Sequence, residues 1–187
     1  EMSRNIIFHR REGVLLIVQK RYEQYRPLVE ALQKLTVVNL RDSSVDNSVR
    51  RVLDDCFVAR DPLMLNLVGV MLREINMKQM TDCMQRSRTV LLLLYSHFDQ
   101  LEKYGTYKIK EAQVIWSESE RHAWGHGWVR VRFMGQRDWV IFDFSPGFHR
   151  TNIFYEVSSA GQEFDYASLD DDNEIVMQLI RSEDREN

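Results

Sequence analysis

Residues 126–143 read His-Gly-Trp-Val-Arg-Val-Arg-Phe-Met-Gly-Gln-Arg-Asp-Trp-Val-Ile-Phe-Asp. Two apolar-alternating runs flank a Gly-containing turn. In the first run Gly127, Val129, Val131 and Phe133 share one side. Val140, Phe142 and Phe144 do the same in the second. Side chains alternate across a strand, so this pattern predicts two paired strands with one face in the core. The other face carries His126, Trp128, Arg130 and Arg132, with Trp139, Ile141 and Asp143. Its mixture of aromatic and charged groups is that of a half-exposed site.

The position of the turn sets which residues meet. A hairpin turning at Met134 and Gly135 places His126 directly opposite Asp143. Directly opposed residues point to one face and approach closely. A turn one residue later opposes Asp143 to Trp128 and leaves His126 as its diagonal neighbour. Both registers favour His126 over His122 as the imidazole that a carboxylate orients. His122 falls in the approach to the strand.

Working outward, residues 107–116 and 152–157 read as further strands, as does a short stretch at 5–8. The region before Gly105 reads differently. Val14, Ile17, Val18, Tyr22, Tyr25, Leu28, Val29 and Leu32 recur at three- and four-residue spacing, which predicts a helix over 11–35, with Pro27 kinking or restarting it. A second helix is expected over 45–58. Asp61 followed by Pro62 makes a sound start for a third, running to about residue 75. A fourth, capped by Thr81 or Asp82, runs to about residue 103. Its run Val90-Leu-Leu-Leu-Leu-Tyr95 is apolar on every side, so it is expected to be buried centrally. Residues 174–181 suggest a closing helix, and Asp170-Asp-Asp172 a solvated acidic loop. Helices first and strands second predict an α+β fold in which a buried helix packs on an antiparallel sheet. The organisation expected is a helical portion, 1–75, and a core, 76–187, together one compact domain.

The chain has 187 residues, 44% of them hydrophobic. That suits one domain burying its own core without staples. A net charge of −3 supplies no basic field for nucleic acid. No apolar run approaches the roughly 20 residues of a membrane span, and none resembles a classical signal peptide. The reading is a cytoplasmic protein, or one exported without a classical signal. With two cysteines there is no disulfide framework.

Cys83 follows Asp82 at the expected start of the buried helix. Unpaired backbone N–H groups and the helix dipole stabilise a thiolate there, and the thiolate is the reactive form. Cys56 lies within a helical pattern with no cap, as a packing residue does. A cysteine nucleophile needs a base, and the base an orienting group. Cys83, His126 and Asp143 supply that set. The expected separation of the Cys83 sulfur from a His126 ring nitrogen is within about 4 Å.

The hairpin resembles the His–Asp hairpin of the transglutaminase-like superfamily. There a His-Ala-Trp-Val-x-Val strand turns into a Trp-Val-x-Phe-Asp strand followed by Pro. Thr81-Asp-Cys83 before an apolar helix is similar to that family's Gly-Asp-Cys helix start, and the order Cys, His, Asp also matches. The resemblance covers residues 80–147. It implies a papain-like active site, with Cys83 as nucleophile, His126 as general base and Asp143 as orienter. The implied reaction is thiol attack on a peptide or glutamine amide through an acyl-enzyme, with no cofactor and no metal. The superfamily includes transglutaminases, deamidases, peptidases and a deglycosylating enzyme. Gly127 stands where Ala is usual, no Gly precedes Asp82, and no Trp precedes Trp116. The backbone N–H of Cys83 is then the expected oxyanion donor.

Other readings compete. His122 and His126 with a carboxylate could ligate a metal, although Trp124-Gly125 between them argues against a helix presenting both. A peptidoglycan-cleaving thiol hydrolase also starts a helix with Asp-Cys. The same scaffold could serve as a non-catalytic protein-binding module. Trp124, Trp128 and His122 are the candidates for lining a substrate cleft. The partner expected is a protein or peptide substrate, with neither nucleic acid nor membrane.

Overall fold

A computed structural model of the chain describes residues 6–11, 13–33, 37–42, 61–77, 82–104, 108–118, 125–144, 154–156 and 173–182. Strands β1 (Ile6–Arg11) and β2 (Val14–Gln19) come first, then a 3-10 helix (Lys20–Tyr25) and α1 (Arg26–Gln33). Helices α2 (Pro62–Met77), α3 (Cys83–Ser96) and α4 (Phe98–Tyr104) follow. Then come β3 (Ile109–Glu118), β4 (Gly125–Phe133), β5 (Val140–Phe142), β6 (Phe154–Glu156) and β7 (Asn173–Arg181). The strands form one seven-stranded sheet in the order β1-β2-β7-β3-β4-β5-β6. Every pairing is antiparallel. The α+β class and the helix-on-sheet arrangement are as the sequence predicts.

The first part of one expected helix, and the whole of another, are strands, while residues 20–33 are helical as expected. Residues 11–19 form most of a hairpin, with Arg11 opposite Val14 and Gly13 at φ +79 in the tight turn. The run Val14-Leu-Leu-Ile-Val18 is buried on both faces. A continuous apolar run of that length fits either a buried strand or a helix by periodicity alone. Pro27 restarts the chain in the first turn of α1, where it loses no helical hydrogen bond. Residues 174–181 likewise belong to β7, which lies between β2 and β3. Leu16 pairs with Leu179, and Ala112 pairs with the same residue from the other side. Partners so distant in sequence decide the strand, and local spacing cannot display them. The amino-terminal portion is therefore not purely helical, and it shares its sheet with the carboxy-terminal portion.

Helix α3 packs on β4, β3 and β7, and against α1 and α2. Val90, Leu91, Leu92, Leu93 and Leu94 are all buried, as their unbroken apolar run predicts. The helix stops at Ser96 instead of reaching residue 103. Ser96 Oγ donates to Leu92 O, and the His97 ring meets Leu93 O, so side chains take over carbonyls at the helix end. His97 O then accepts from Leu101 N and opens α4. Asp61 caps α2 as expected, with Oδ1 accepting from the N–H groups of Leu63 and Met64. Among the described residues no helix is long and apolar enough to cross a membrane. The expected helix at 45–58 with Cys56, and the acidic loop at 170–172, lie outside the described residues.

Candidate active site

The nucleophile candidate stands at the first residue of α3. Asp82 is the N-cap, in an extended conformation at φ −83 and ψ 130. Its Oδ1 accepts from Met84 N at 2.6 Å and from Gln85 N at 3.4 Å. The cap therefore occupies the second and third N–H groups of the helix. The N–H of Cys83, the first of the helix, is not one of the groups that the Asp82 side chain caps. Cys83 is half-buried against the edge of the core and is not in a disulfide.

The imidazole comes from the start of β4. His126 is buried, and Gly125 and Gly127 flank it. An added Cβ at Gly127 would lie 2.2 Å from Met84 Sδ, and one at Gly125 would lie 2.2 Å from the Trp116 ring. Both glycines thus give their space to a neighbour, and the backbone on either side of His126 is packed in place. In this chain Met84, the residue after Cys83, fills the space that a side chain at 127 would take.

Asp143 follows β5. His126 Nε2 donates to Asp143 Oδ2 at 2.7 Å, with both side chains almost wholly buried. The register differs from the directly opposed one. Val129 pairs with Phe142, Arg130 with Ile141 and Val131 with Val140, so Asp143 continues opposite Trp128. The β-turn does fall at Met134 and Gly135, with Gln136 N donating to Phe133 O and Gly135 at φ +78. Residues 136–139 then run unpaired before β5 begins, and this shifts the pairing by two. A shift of two preserves the face, so His126 and Asp143 meet along the diagonal.

The opposing influences on His126 are unequal. Burial disfavours the charged ring. Hydrogen bonds to Asp143 and Cys83, and the charges of both, outweigh it and raise the pKa from 6.5 to about 9. Cys83 is therefore close enough to act on the ring by hydrogen bond and by charge. Because Asp143 takes Nε2, the nitrogen left for Cys83 is Nδ1. The structure brings Cys83, His126 and Asp143 into one array.

The supporting aromatics fall out differently. Trp128 is 1% exposed. Its ring stacks with that of His126, with centroids 6.0 Å apart at 24°. It is a packed wall of the imidazole instead of the surface of an open cleft. The expected half-exposed face is thus buried at the site end, by His126, Trp128, Ile141 and Asp143. It becomes half-exposed only further along, where Arg130 and Arg132 lie over the Trp139 ring at 4.4 and 4.7 Å. His122, Trp124, Thr81 and Gly147 lie outside the described residues. Among the described residues no cluster of three or more His, Cys, Asp and Glu side chains is arranged to hold a metal ion.

Three residues of the site were not singled out by sequence. Met84 and Trp116 hold the backbone of β4, and Ser117 pairs with His126 across β3 and β4. Only the glycines flanking His126 hinted at close neighbours. No protein-family model, curated protein or solved structure matches the chain.

Proposed function

We propose that the chain is a cysteine-dependent hydrolase or acyltransferase of the transglutaminase-like kind, acting on peptide or glutamine side-chain amides. One observation carries the reading: a buried Asp143–His126 pair acts on a cysteine that opens a capped, buried helix. Its parts have the roles of a thiol triad. Asp143 fixes the ring so that Nε2 bears a proton and stabilises the imidazolium.

In the proposed cycle the Cys83 proton already rests on His126, and the sulfur attacks the amide carbonyl carbon. The Cys83 N–H, left over by the cap, is suited to the oxyanion. The tetrahedral intermediate collapses as His126 returns the proton to the leaving nitrogen. The C–N bond breaks, ammonia or an amine departs, and a thioester remains on Cys83. Water or an amine then attacks the thioester, giving its proton to His126, and the C–S bond breaks. A ring held cationic to about pH 9 suits the proton donor that this collapse needs.

The test is intact-mass analysis of the protein incubated with a pool of blocked glutamine-containing peptides. The reading expects an acyl adduct on Cys83 together with deamidated, cleaved or cross-linked peptide, all absent in Cys83→Ala. Products that persist in Cys83→Ala, or no product from the native protein, contradict it.

A further inference from the structure

Trp128 lies two residues from His126 on β4, so both side chains stand on one face of the strand. Their ring centroids are 6.0 Å apart and the planes only 24° from parallel, which turns the face of the indole toward the imidazole. Both side chains are buried. Trp128 also borders the counter-ion of the ring, because the β4–β5 register continued past Phe142 sets it opposite Asp143. The charges that act on the imidazole are those of Asp143, just past β5, and Cys83, from α3. β3 faces the ring with Ser117, and α3 brings Met84 beside Gly127; neither carries a charge. Arg130, next along the same face, turns to the Trp139 ring and to Gln113 Oε1.

We propose that Trp128 is a positioning residue of this centre, whose indole face stabilises the imidazolium of His126 by a cation–π contact. The inference rests on the cysteine-amide reading above and deepens it. A cation within roughly 6 Å of an aromatic centroid is attracted by the negative face of the ring, and indole offers the strongest such face among side chains. Burial strengthens the attraction, because the low-dielectric surroundings leave it unscreened. A neutral imidazole gains far less from the same contact, so the contact favours the protonated ring. Asp143 acts on that charge from the Nε2 edge, and Trp128 acts on it from the face. In the proposed reaction the charged ring is the counter-ion of the Cys83 thiolate and the proton donor to the leaving nitrogen. Trp128 thereby extends to higher pH the range over which both roles are filled. A residue present only for packing would supply bulk without this preference for charge.

The experiment installs mono-, di- and trifluorotryptophan at position 128 alone, by nonsense suppression. Fluorine withdraws electron density from the face of the indole and changes its size little, so packing is kept while the quadrupole weakens. NMR titration gives the His126 midpoint in each protein. The pH profile of kcat on a pool of glutamine-containing peptides gives the alkaline limb of the reaction. The proposal expects the midpoint to fall with each added fluorine, by about one pH unit across the series, which is a tenfold loss of proton affinity. The alkaline limb is expected to fall with it. A midpoint that stays fixed across the series would show that Trp128 only packs against the ring. A midpoint that moves while the limb stays would show that the contact does not reach the reaction. Either result overturns the proposal. If Cys83→Ala keeps the activity, the cysteine reading itself has failed. That failure is separable, because the NMR midpoint needs no turnover and judges Trp128 by itself.

Discussion

Asp143 stands one residue past β5, where the register continued would set it opposite Trp128, yet its carboxylate bonds His126 along the diagonal, at 2.7 Å from Nε2. The bond is buried, so little solvent screens it. Replacing Asp143 by Asn keeps the shape and removes the charge. The expected outcome is a loss of about 10³–10⁴-fold in acyl-enzyme formation, as for other triads deprived of the orienting carboxylate. NMR titration of the His126 ring supplies an independent check. Its midpoint is expected near pH 9 in the native protein and lower in Asp143→Asn. An unmoved midpoint would mean that Asp143 does not hold the charge on the ring.

The same charge links folding to pH. The folded pKa of His126 is raised from 6.5 to about 9. A group whose pKa is higher in the folded state binds its proton more tightly there. Its stabilisation is therefore complete below pH 6.5 and is lost as pH rises through about 9. Thermal melts of the native protein and His126→Gln, run across that window, should converge as pH increases. A constant gap between them would contradict the linkage.

Gly127 and Met84 occupy one space. An added Cβ at 127 would fall 2.2 Å from Met84 Sδ. Gly127→Ala is expected to destabilise by about 1–3 kcal/mol, the usual cost of overpacking. It should also slow the reaction, because His126 is the adjacent residue. Met84→Ala removes the opposing sulfur. In urea denaturation the double variant should be less destabilised than the sum of the two single ones. Simple additivity would mean that the pair does not share this space.

The region from Asp82 to Asp143 was the most legible part of the sequence. Asp82 and Cys83 announce a cap, and the run from Val90 announces a buried helix. The alternation from Gly127 to Phe133 announces a strand whose other face carries the imidazole. Each signal is local, and each survives a register shift of two because strand faces repeat with that period. Elsewhere local patterns misled. Val14–Val18 and residues 174–181 are short runs rich in apolar residues, and their state is decided by pairing across the sheet centre. The unpaired stretch at 136–139 was invisible too, since nothing in its composition marks where pairing resumes. Ser117 carries no motif. Its place beside His126 follows from the β3–β4 register alone.

The central claim is that Cys83 is a nucleophile activated by His126, and the rate at which iodoacetamide alkylates Cys83 near pH 7 tests it most directly. The account predicts alkylation about tenfold or more faster than a free peptide thiol, because an imidazole base beside a thiol activates it as a nucleophile. It predicts that His126→Ala removes most of the excess. Labelling no faster than the free peptide thiol, or unchanged in His126→Ala, would contradict it.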